Sequence, residues 1–133
     1  MLIGMGIDIC IIKRIETTLN KFGDRFKKRC FTNNEITKCE NRYSFASCYA
    51  KRFAAKEAFS KAIGTGMRGG VNWKNIEICN KQSGQPTIIV YGSAKKTLDG
   101  LIPKNMIPKI FVTLTDEKEL AQALVIIEAV RKR

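Results

Sequence analysis

The 133-residue sequence lacks the marks of several protein classes. Its five cysteines include no C-x-x-C pair and are odd in number, which fits neither a disulfide framework nor a zinc knuckle. No uncharged apolar run approaches the ~20 residues of a membrane span. The apolar start is interrupted by Asp8 and followed by Lys13 and Arg14, the reverse of a signal peptide's charge order. We therefore expect a cytoplasmic protein without a membrane segment, whose cysteines are free thiols packed in the core.

Repeats, low-complexity stretches and a linker are also absent, so residues 1–133 are expected to form a single domain. Apolar residues make up 44% of the chain, enough for a compact core at this size. Acidic residues are scarce: 12 Asp and Glu face 24 Lys and Arg, which gives a net charge of +12. Such a field attracts anions and acidic proteins, so the partner is expected to be negatively charged.

Apolar spacing and turn residues predict an α+β domain in which an antiparallel sheet packs against one long helix. We expect strands at residues 2–9, 75–79, 87–91, 110–114 and 121–127, with a charged turn at 116–119. Three shorter helices are expected. The first begins at residue 12 and is ended or kinked by Gly23, the second begins at the capping box of Thr32 and Glu35, and the third begins at residue 93. The long helix is predicted at 43–63.

Asp8 is a carboxylate inside an isoleucine-rich strand, which is costly to bury unless a cation or hydrogen-bond donors meet it. The alternative is that Asp8 lies just past the strand and caps the following helix. Gly4 and Gly6 either weaken this strand or allow another backbone to approach it closely.

Glu57 and Lys61 project from the same face of the predicted long helix, where they could form an ordinary surface ion pair. The loop Gly64-Thr65-Gly66 follows directly. It could bring backbone N–H groups close to a phosphate beside Lys61, or it could simply be a glycine cap. Asp8 and Glu57 together offer two acidic oxygens, a set that suits Mg²⁺ with phosphate ligands. The combination suggests metal-assisted phosphoryl chemistry.

Residues 13–29 form a basic segment with Arg14, Lys21 and Arg25 roughly on one face. An acidic partner could dock there, although a solvated charged face is the commoner meaning. Nucleic acid is a second candidate anion. It is disfavoured by the lack of a recognisable motif and by the presence of a single Trp, Trp73.

Three segments match a known family: GMGIDI at 4–9 with Arg14-Ile15, FTNNE at 31–35, and RFAAKEAFSKAIGTG at 52–66. GQP at 84–86, VTLT at 112–115 and a final strand that ends in Glu128 add to the match. With these motifs the chain resembles, from end to end, the short holo-acyl-carrier-protein synthases of the 4′-phosphopantetheinyl transferase family.

The resemblance implies transfer of 4′-phosphopantetheine from coenzyme A to a serine of acyl carrier protein, in support of fatty acid biosynthesis, with release of adenosine 3′,5′-bisphosphate. It implies that Asp8 and Glu57 hold Mg²⁺ against the pyrophosphate and that Lys61 contacts a pyrophosphate oxygen. Either a water on the metal or Glu57 itself would accept the serine proton. The coenzyme-binding residues implied are Arg52 at the 3′-phosphate, Pro86 along the adenine, and Gly64, Thr65 and Gly66 around the phosphates.

By the same resemblance, Arg14, Lys21 and Arg25 would dock the acidic acyl carrier protein, and the chain would be a homotrimer with shared clefts. Two departures concern the nucleotide. The chain has no histidine, and Asp116 stands where many relatives have one; Gln85 stands where a basic residue is common. We expect Asp116 to point away or to be compensated by a Lys or Arg. The rival hypotheses are a basic nucleic-acid-binding module and a trimeric assembly protein whose site has decayed.

Overall fold

The computed structural model describes all residues from Met1 to Arg133. The strands are β1 (Leu2–Ile11), β2 (Ile76–Asn80), β3 (Pro86–Val90), β4 (Met106–Glu117) and β5 (Leu120–Arg131). The helices are α1 (Ile12–Phe22), α2 (Asp24–Cys30), α3 (Asn33–Glu40), α4 (Phe45–Ala62) and α5 (Gly92–Leu101), with a 3-10 turn at Trp73–Asn75. The α+β prediction is confirmed.

The strands form two antiparallel sheets where the sequence predicted one. The larger sheet has the order β1-β5-β4, and its register places Asp8 opposite Ala123. The β2–β3 hairpin pairs only with itself. At its first residue, the Ile76 carbonyl accepts a hydrogen bond from Lys56 of α4, so β2 is joined to the helix rather than to the other sheet.

Small residues allow α4 to lie unusually close to β1. A Cβ at Gly6 would collide with the carbonyl oxygen of Ala58, and one at Gly4 with that of Ala62. Of the two interpretations of these glycines, close approach of another backbone is therefore the correct one. On β5, a row of fully buried residues lines the same core: Ala121, Ala123, Val125, Ile127 and Ala129.

Several element boundaries differ from the predictions: β1 ends later, at Ile11, β4 begins earlier, at Met106, and β5 ends later, at Arg131. The helix expected to end or kink at Gly23 does end there, since α1 stops at Phe22 and a separate helix, α2, begins at Asp24. The long helix begins at Phe45, two residues late, and the capping box of Thr32 and Glu35 is present as expected. Strand β4 continues to Glu117, so the predicted charged turn is shorter, because its first residues keep pairing with β5.

The expectation of five free thiols is wrong for two of them. Cys39 and Cys48 are joined by a disulfide, with Cα atoms 5.4 Å apart, while Cys10, Cys30 and Cys79 are free. The sequence did not indicate this pair, since the turn between α3 and α4 is what brings the two residues within bridging distance. None of the helices is both long enough and apolar enough to span a bilayer.

Candidate active site

Asp8 lies inside β1, on the face that packs against α4. It does not cap α1, since the residue at the cap position is Ile11 and no side chain bonds to that helix end. The Asp8 carboxylate meets the ammonium group of Lys61, with Oδ1 and Nζ 2.8 Å apart. Nζ also donates to the carbonyl of Ile7 at 3.1 Å. The cation that Asp8 was expected to need is therefore Lys61 in this structure.

Glu57 lies one helical turn before Lys61 and is half-buried. Burial raises the pKa of Glu57, the negative charge of Asp8 raises it further, and Lys61 partly opposes both. The alternative of an ordinary Glu57–Lys61 ion pair is not observed because Lys61 binds Asp8 instead, and this hydrogen bond raises the pKa of Lys61. Lys61 thus pairs with one of the two carboxylates, and the charge of the other, Glu57, has no ion-pair partner.

This unpaired negative charge suits a divalent cation. Asp8 and Glu57 supply hard oxygen ligands, and the lysine neutralises only one of the two charges. No cluster of three or more His, Cys, Asp or Glu residues could hold a metal anywhere in the chain. A metal here would therefore have two protein ligands, as Mg²⁺ commonly does when substrate phosphates and waters complete its shell.

The side chain next to Glu57 fixes the position of α4. Lys56 is fully buried, and its Nζ lies 2.6 Å from Oε1 of Glu35, 2.6 Å from the carbonyl of Ile76 and 2.9 Å from that of Trp73. Burial lowers the pKa of Lys56, while Glu35 opposes this shift. Because Lys56 is held on one side of the helix, Glu57 is held on the side toward Asp8. Lys56 belongs to the motif at 52–66, but the sequence did not indicate that it positions the helix.

The loop after α4 ends the helix as a glycine cap would. The N–H groups of Gly64 and Gly66 donate to the carbonyls of Lys61 and Ser60. These two donors are therefore used within the chain. The space beyond both glycines is open, since a Cβ at either would meet nothing within 4 Å. The loop leaves room for a ligand beside Lys61, and a phosphate contact from it stays a prediction.

Arg52 and Pro86, both predicted to bind the coenzyme, line one cleft of about 260 Å³ between the start of α4 and the β2–β3 hairpin. Arg52 is only 5% exposed, and its Nη2 donates to Oδ1 of Asn80 at 3.1 Å. Its Nε has no hydrogen-bond partner. The cleft also contains two basic residues that the sequence did not single out, Arg42 and Lys51. Arg42 lies in the turn before α4 and Lys51 on α4 itself, and the two residues face the hairpin only because it folds back onto the helix.

The negative charge of Asp116 is compensated by neighbouring groups, which was one of the two expectations for this residue. Ser47 donates to its Oδ2 at 2.6 Å, and Nζ of Lys51 lies 3.3 Å from Oδ1. The hydrogen bond from Ser47, aided by Lys51, lowers the pKa of Asp116. Gln85 does not line the Arg52 cleft; it lies in a neighbouring one with Lys81 and Lys109.

The predicted docking residues Arg14, Lys21 and Arg25 are all exposed, on α1 and at the start of α2. None of them takes part in an ion pair within the chain. Arg14 and Asp8 line the same largely apolar cleft, which has a volume of about 510 Å³. Of the three docking residues, Arg14 therefore lies beside Asp8, whereas Lys21 and Arg25 lie outside this cleft.

Residues 4–121 match the family model of the 4′-phosphopantetheinyl transferase superfamily. A holo-[acyl-carrier-protein] synthase of Methylorubrum extorquens is 51% identical over 98% of this chain and 96% of its own length. The crystal structure of the holo-[acyl-carrier-protein] synthase of Neisseria meningitidis is similar, with a TM-score of 0.83, 37% identity and coverage of 96% and 99% of the two chains. The Bacillus anthracis enzyme, in complex with coenzyme A (3′,5′-ADP), has a TM-score of 0.74, 33% identity and coverage of 96% of both chains.

Proposed function

Because the chain belongs to the 4′-phosphopantetheinyl transferase superfamily, we propose that it acts as a holo-acyl-carrier-protein synthase with the site described above. It transfers the 4′-phosphopantetheine group of coenzyme A to a serine of acyl carrier protein. The names of its relatives and the coenzyme bound in the Bacillus anthracis structure support this reaction. The alternative of a nucleic-acid-binding module has no comparable support.

Asp8 and Glu57 would hold Mg²⁺ beside the diphosphate of the coenzyme. When bound, the metal would neutralise charge on the diphosphate and align it for attack. The two carboxylates are the ligands that the chain itself provides, and their unbalanced charge supports the assignment.

The reaction forms a bond between the serine oxygen and the β-phosphorus and breaks the bond from that phosphorus to the bridging oxygen. The bridging oxygen keeps the electron pair and leaves with adenosine 3′,5′-bisphosphate. Lys61, half-exposed beside the open Gly64–Gly66 loop, would donate to a diphosphate oxygen and stabilise the developing charge. Glu57 or a water molecule would accept the serine proton.

The cleft of Arg52 and Pro86 would take the nucleotide end of coenzyme A. Arg52 carries an unpartnered, buried Nε, and Arg42 and Lys51 add positive charge for a 3′-phosphate. These two residues supply the basic character that Gln85 does not, and Lys51 also neutralises Asp116. Arg42 and Lys51 would thus provide positive charge at a site where this chain lacks the histidine of many relatives.

Arg14, Lys21 and Arg25 would dock acyl carrier protein. Their side chains are exposed and free of internal ion pairs, so an acidic partner can approach without displacing an existing carboxylate. The cleft that Arg14 and Asp8 both line would give the acceptor serine a route toward the carboxylate site. Such surfaces mainly accelerate encounter and set orientation.

The chain would act as a homotrimer. One face of the three-stranded sheet packs on α4, and the other leaves large apolar side chains exposed, including Met5, Ile7, Ile9 and Phe111. An apolar face of this kind marks an interface, and two further copies of this chain are the proposed occupants. We place the enzyme in the cytoplasm, with a role in fatty acid biosynthesis.

The observation that carries the proposal is the meeting of Asp8 with Lys61, next to a Glu57 whose pKa is raised partly by Asp8. The test is to incubate the protein with apo acyl carrier protein, coenzyme A and Mg²⁺ and to follow intact mass. The acceptor should gain about 340 Da, the mass of phosphopantetheine. An acceptor with alanine at the serine should gain nothing, and chelation of the metal should stop the reaction. An unchanged mass of the intact acceptor would refute the proposal.

A further inference from the structure

The disulfide joins two elements that frame the nucleotide cleft. Cys39 lies in the last turn of α3 and Cys48 in the first turn of α4. Between the two helices, the turn of residues 41–44 carries Arg42 and Ser44, which both line the cleft. The bond therefore holds both ends of the segment that forms one wall of this cleft.

Cys48 also touches the arginine at the bottom of the cleft. Nη1 of Arg52 lies 3.1 Å from Sγ of Cys48 and 3.4 Å from its carbonyl oxygen. Nη2 is held by Asn80, and Nε has no partner. A change at the Cys48 sulfur thus acts directly on the guanidinium assigned to the 3′-phosphate.

We propose that Cys39 and Cys48 are a reversible thiol-oxidation site, and that their disulfide raises the affinity of this cleft for the nucleotide end of coenzyme A. The inference rests on the proposed function, which places the nucleotide there. With the bond closed, the turn that carries Arg42 and Ser44 is held in its binding conformation. With the bond open, part of that order must be recovered on binding, which lowers affinity.

The oxidation is a thiol–disulfide exchange with a small-molecule disulfide such as glutathione disulfide. The Cys48 thiolate, which lines the cleft, attacks one sulfur of that disulfide and releases one glutathione thiolate. The fully buried Cys39, as a thiolate, then attacks the mixed disulfide at the Cys48 sulfur and releases the second. Two protons and two electrons leave the protein, and one disulfide is reduced to two thiols.

Linkage makes the effect reciprocal: a ligand that binds the oxidised form more tightly must protect that form from reduction by the same factor. Adenosine 3′,5′-bisphosphate is the suitable probe, because it is the nucleotide product and carries no thiol of its own. Cys79 offers a matched control, since it is a free and partly exposed cysteine that does not line the cleft.

The experiment titrates adenosine 3′,5′-bisphosphate by calorimetry into protein equilibrated with glutathione disulfide and into protein kept in a phosphine reductant. Free thiols, counted after denaturation, should number three in the first sample and five in the second. We expect a Kd at least about fivefold lower for the oxidised protein. Cys48→Ser and, separately, Cys39→Ser should abolish the difference, whereas Cys79→Ser should retain it.

Two results would overturn the inference: five free thiols after oxidation, or Kd values that agree within about twofold while the thiol counts differ. In the second case the nucleotide site itself stands, because both forms bind. If neither form binds the nucleotide, the nucleotide site of the proposed function is refuted as well. Circular dichroism of each cysteine variant separates a loss of folding from a loss of redox dependence.

Discussion

Gly6 of β1 lies directly against the main-chain carbonyl of Ala58 in α4, with no room for a side chain between them. This contact sets the distance between strand and helix, and it is two residues away from Asp8. Because residue 6 has no Cβ, β1 lies close to α4 in the region where the Asp8 carboxylate reaches Lys61.

Replacing Gly6 with alanine is predicted to destabilise the fold, because the new methyl group would have to push β1 away from the Ala58 carbonyl. We expect a loss of about 1–3 kcal/mol in the free energy of unfolding, measured by urea denaturation. Gly100→Ala is the matched control. No atom lies within 4 Å of a Cβ there, and alanine favours the helix, so stability should stay equal or rise. Equal effects of the two changes would contradict this account of the packing.

Glu77 gives stability a specific pH dependence. It is buried, and although burial alone would raise its pKa, hydrogen bonds from Thr32, Tyr91 and Asn34 lower the pKa below its ordinary value of 4.5. The unfolded chain therefore takes up the proton first as pH falls. The stability that ionised Glu77 contributes is complete above the ordinary value and is lost as pH drops through the folded value.

Glu77→Gln should accordingly flatten the pH dependence of the free energy of unfolding as the pH falls below the ordinary value of 4.5. Urea denaturation across that range measures the slope. Asp99→Asn, on the exposed face of α5, serves as the control and should leave the slope unchanged. A slope that Glu77→Gln does not alter would mean that the hydrogen bonds to Glu77 do not lower its pKa.

The basic surface of α1 and α2 is predicted to act on acyl carrier protein and not on coenzyme A. Arg14→Glu, Lys21→Glu and Arg25→Glu should each raise KM for the carrier about tenfold and weaken its salt dependence. KM for coenzyme A should stay constant. Lys96→Glu makes the same charge change at an exposed residue of α5 and should have little effect. Equal effects at all four positions would indicate that only net charge matters.

The uncovered sheet face is predicted to hold the trimer together. Met5→Lys or Phe111→Lys would place a charge in the proposed interface and should shift the mass in solution toward that of one chain. Light scattering coupled to gel filtration measures this. Leu101→Lys alters a similarly exposed apolar residue on α5 and should leave the assembly intact. A wild-type protein with the mass of one chain would refute the assembly.

Much of the fold was accessible from local patterns. Apolar spacing, the Thr32–Glu35 capping box and the glycine-rich end of α4 are local signals, and each was confirmed. The division into two sheets was not predicted, because strand pairing between distant segments leaves no local signal. Gly4 and Gly6 show where the sequence alone was insufficient. It allowed two interpretations, a weakened strand or the close approach of another backbone, and only the position of α4 decided between them.

The candidate site likewise combines residues that the sequence indicated with contacts that only the structure showed. Asp8 was conspicuous because a carboxylate is costly to bury among isoleucines, and that cost led to two alternatives, a compensating cation or donor group and a helix cap. That Lys61 would be the cation, and not the partner of Glu57, depended on the strand lying across the helix. Arg42, Lys51 and the Cys39–Cys48 bond escaped prediction because each involves segments that only the folded chain brings together.

The most direct test of the central claim is the rate of phosphopantetheine transfer by Asp8→Asn and Glu57→Gln, each with saturating coenzyme A and Mg²⁺, compared with wild type and with Asp99→Asn. If the two carboxylates act together on the diphosphate, each change should lower kcat by at least about 100-fold, and the double variant should lose little more than either single one. Asp99→Asn should retain full activity. Transfer within about twofold of wild type in either single variant would contradict the account.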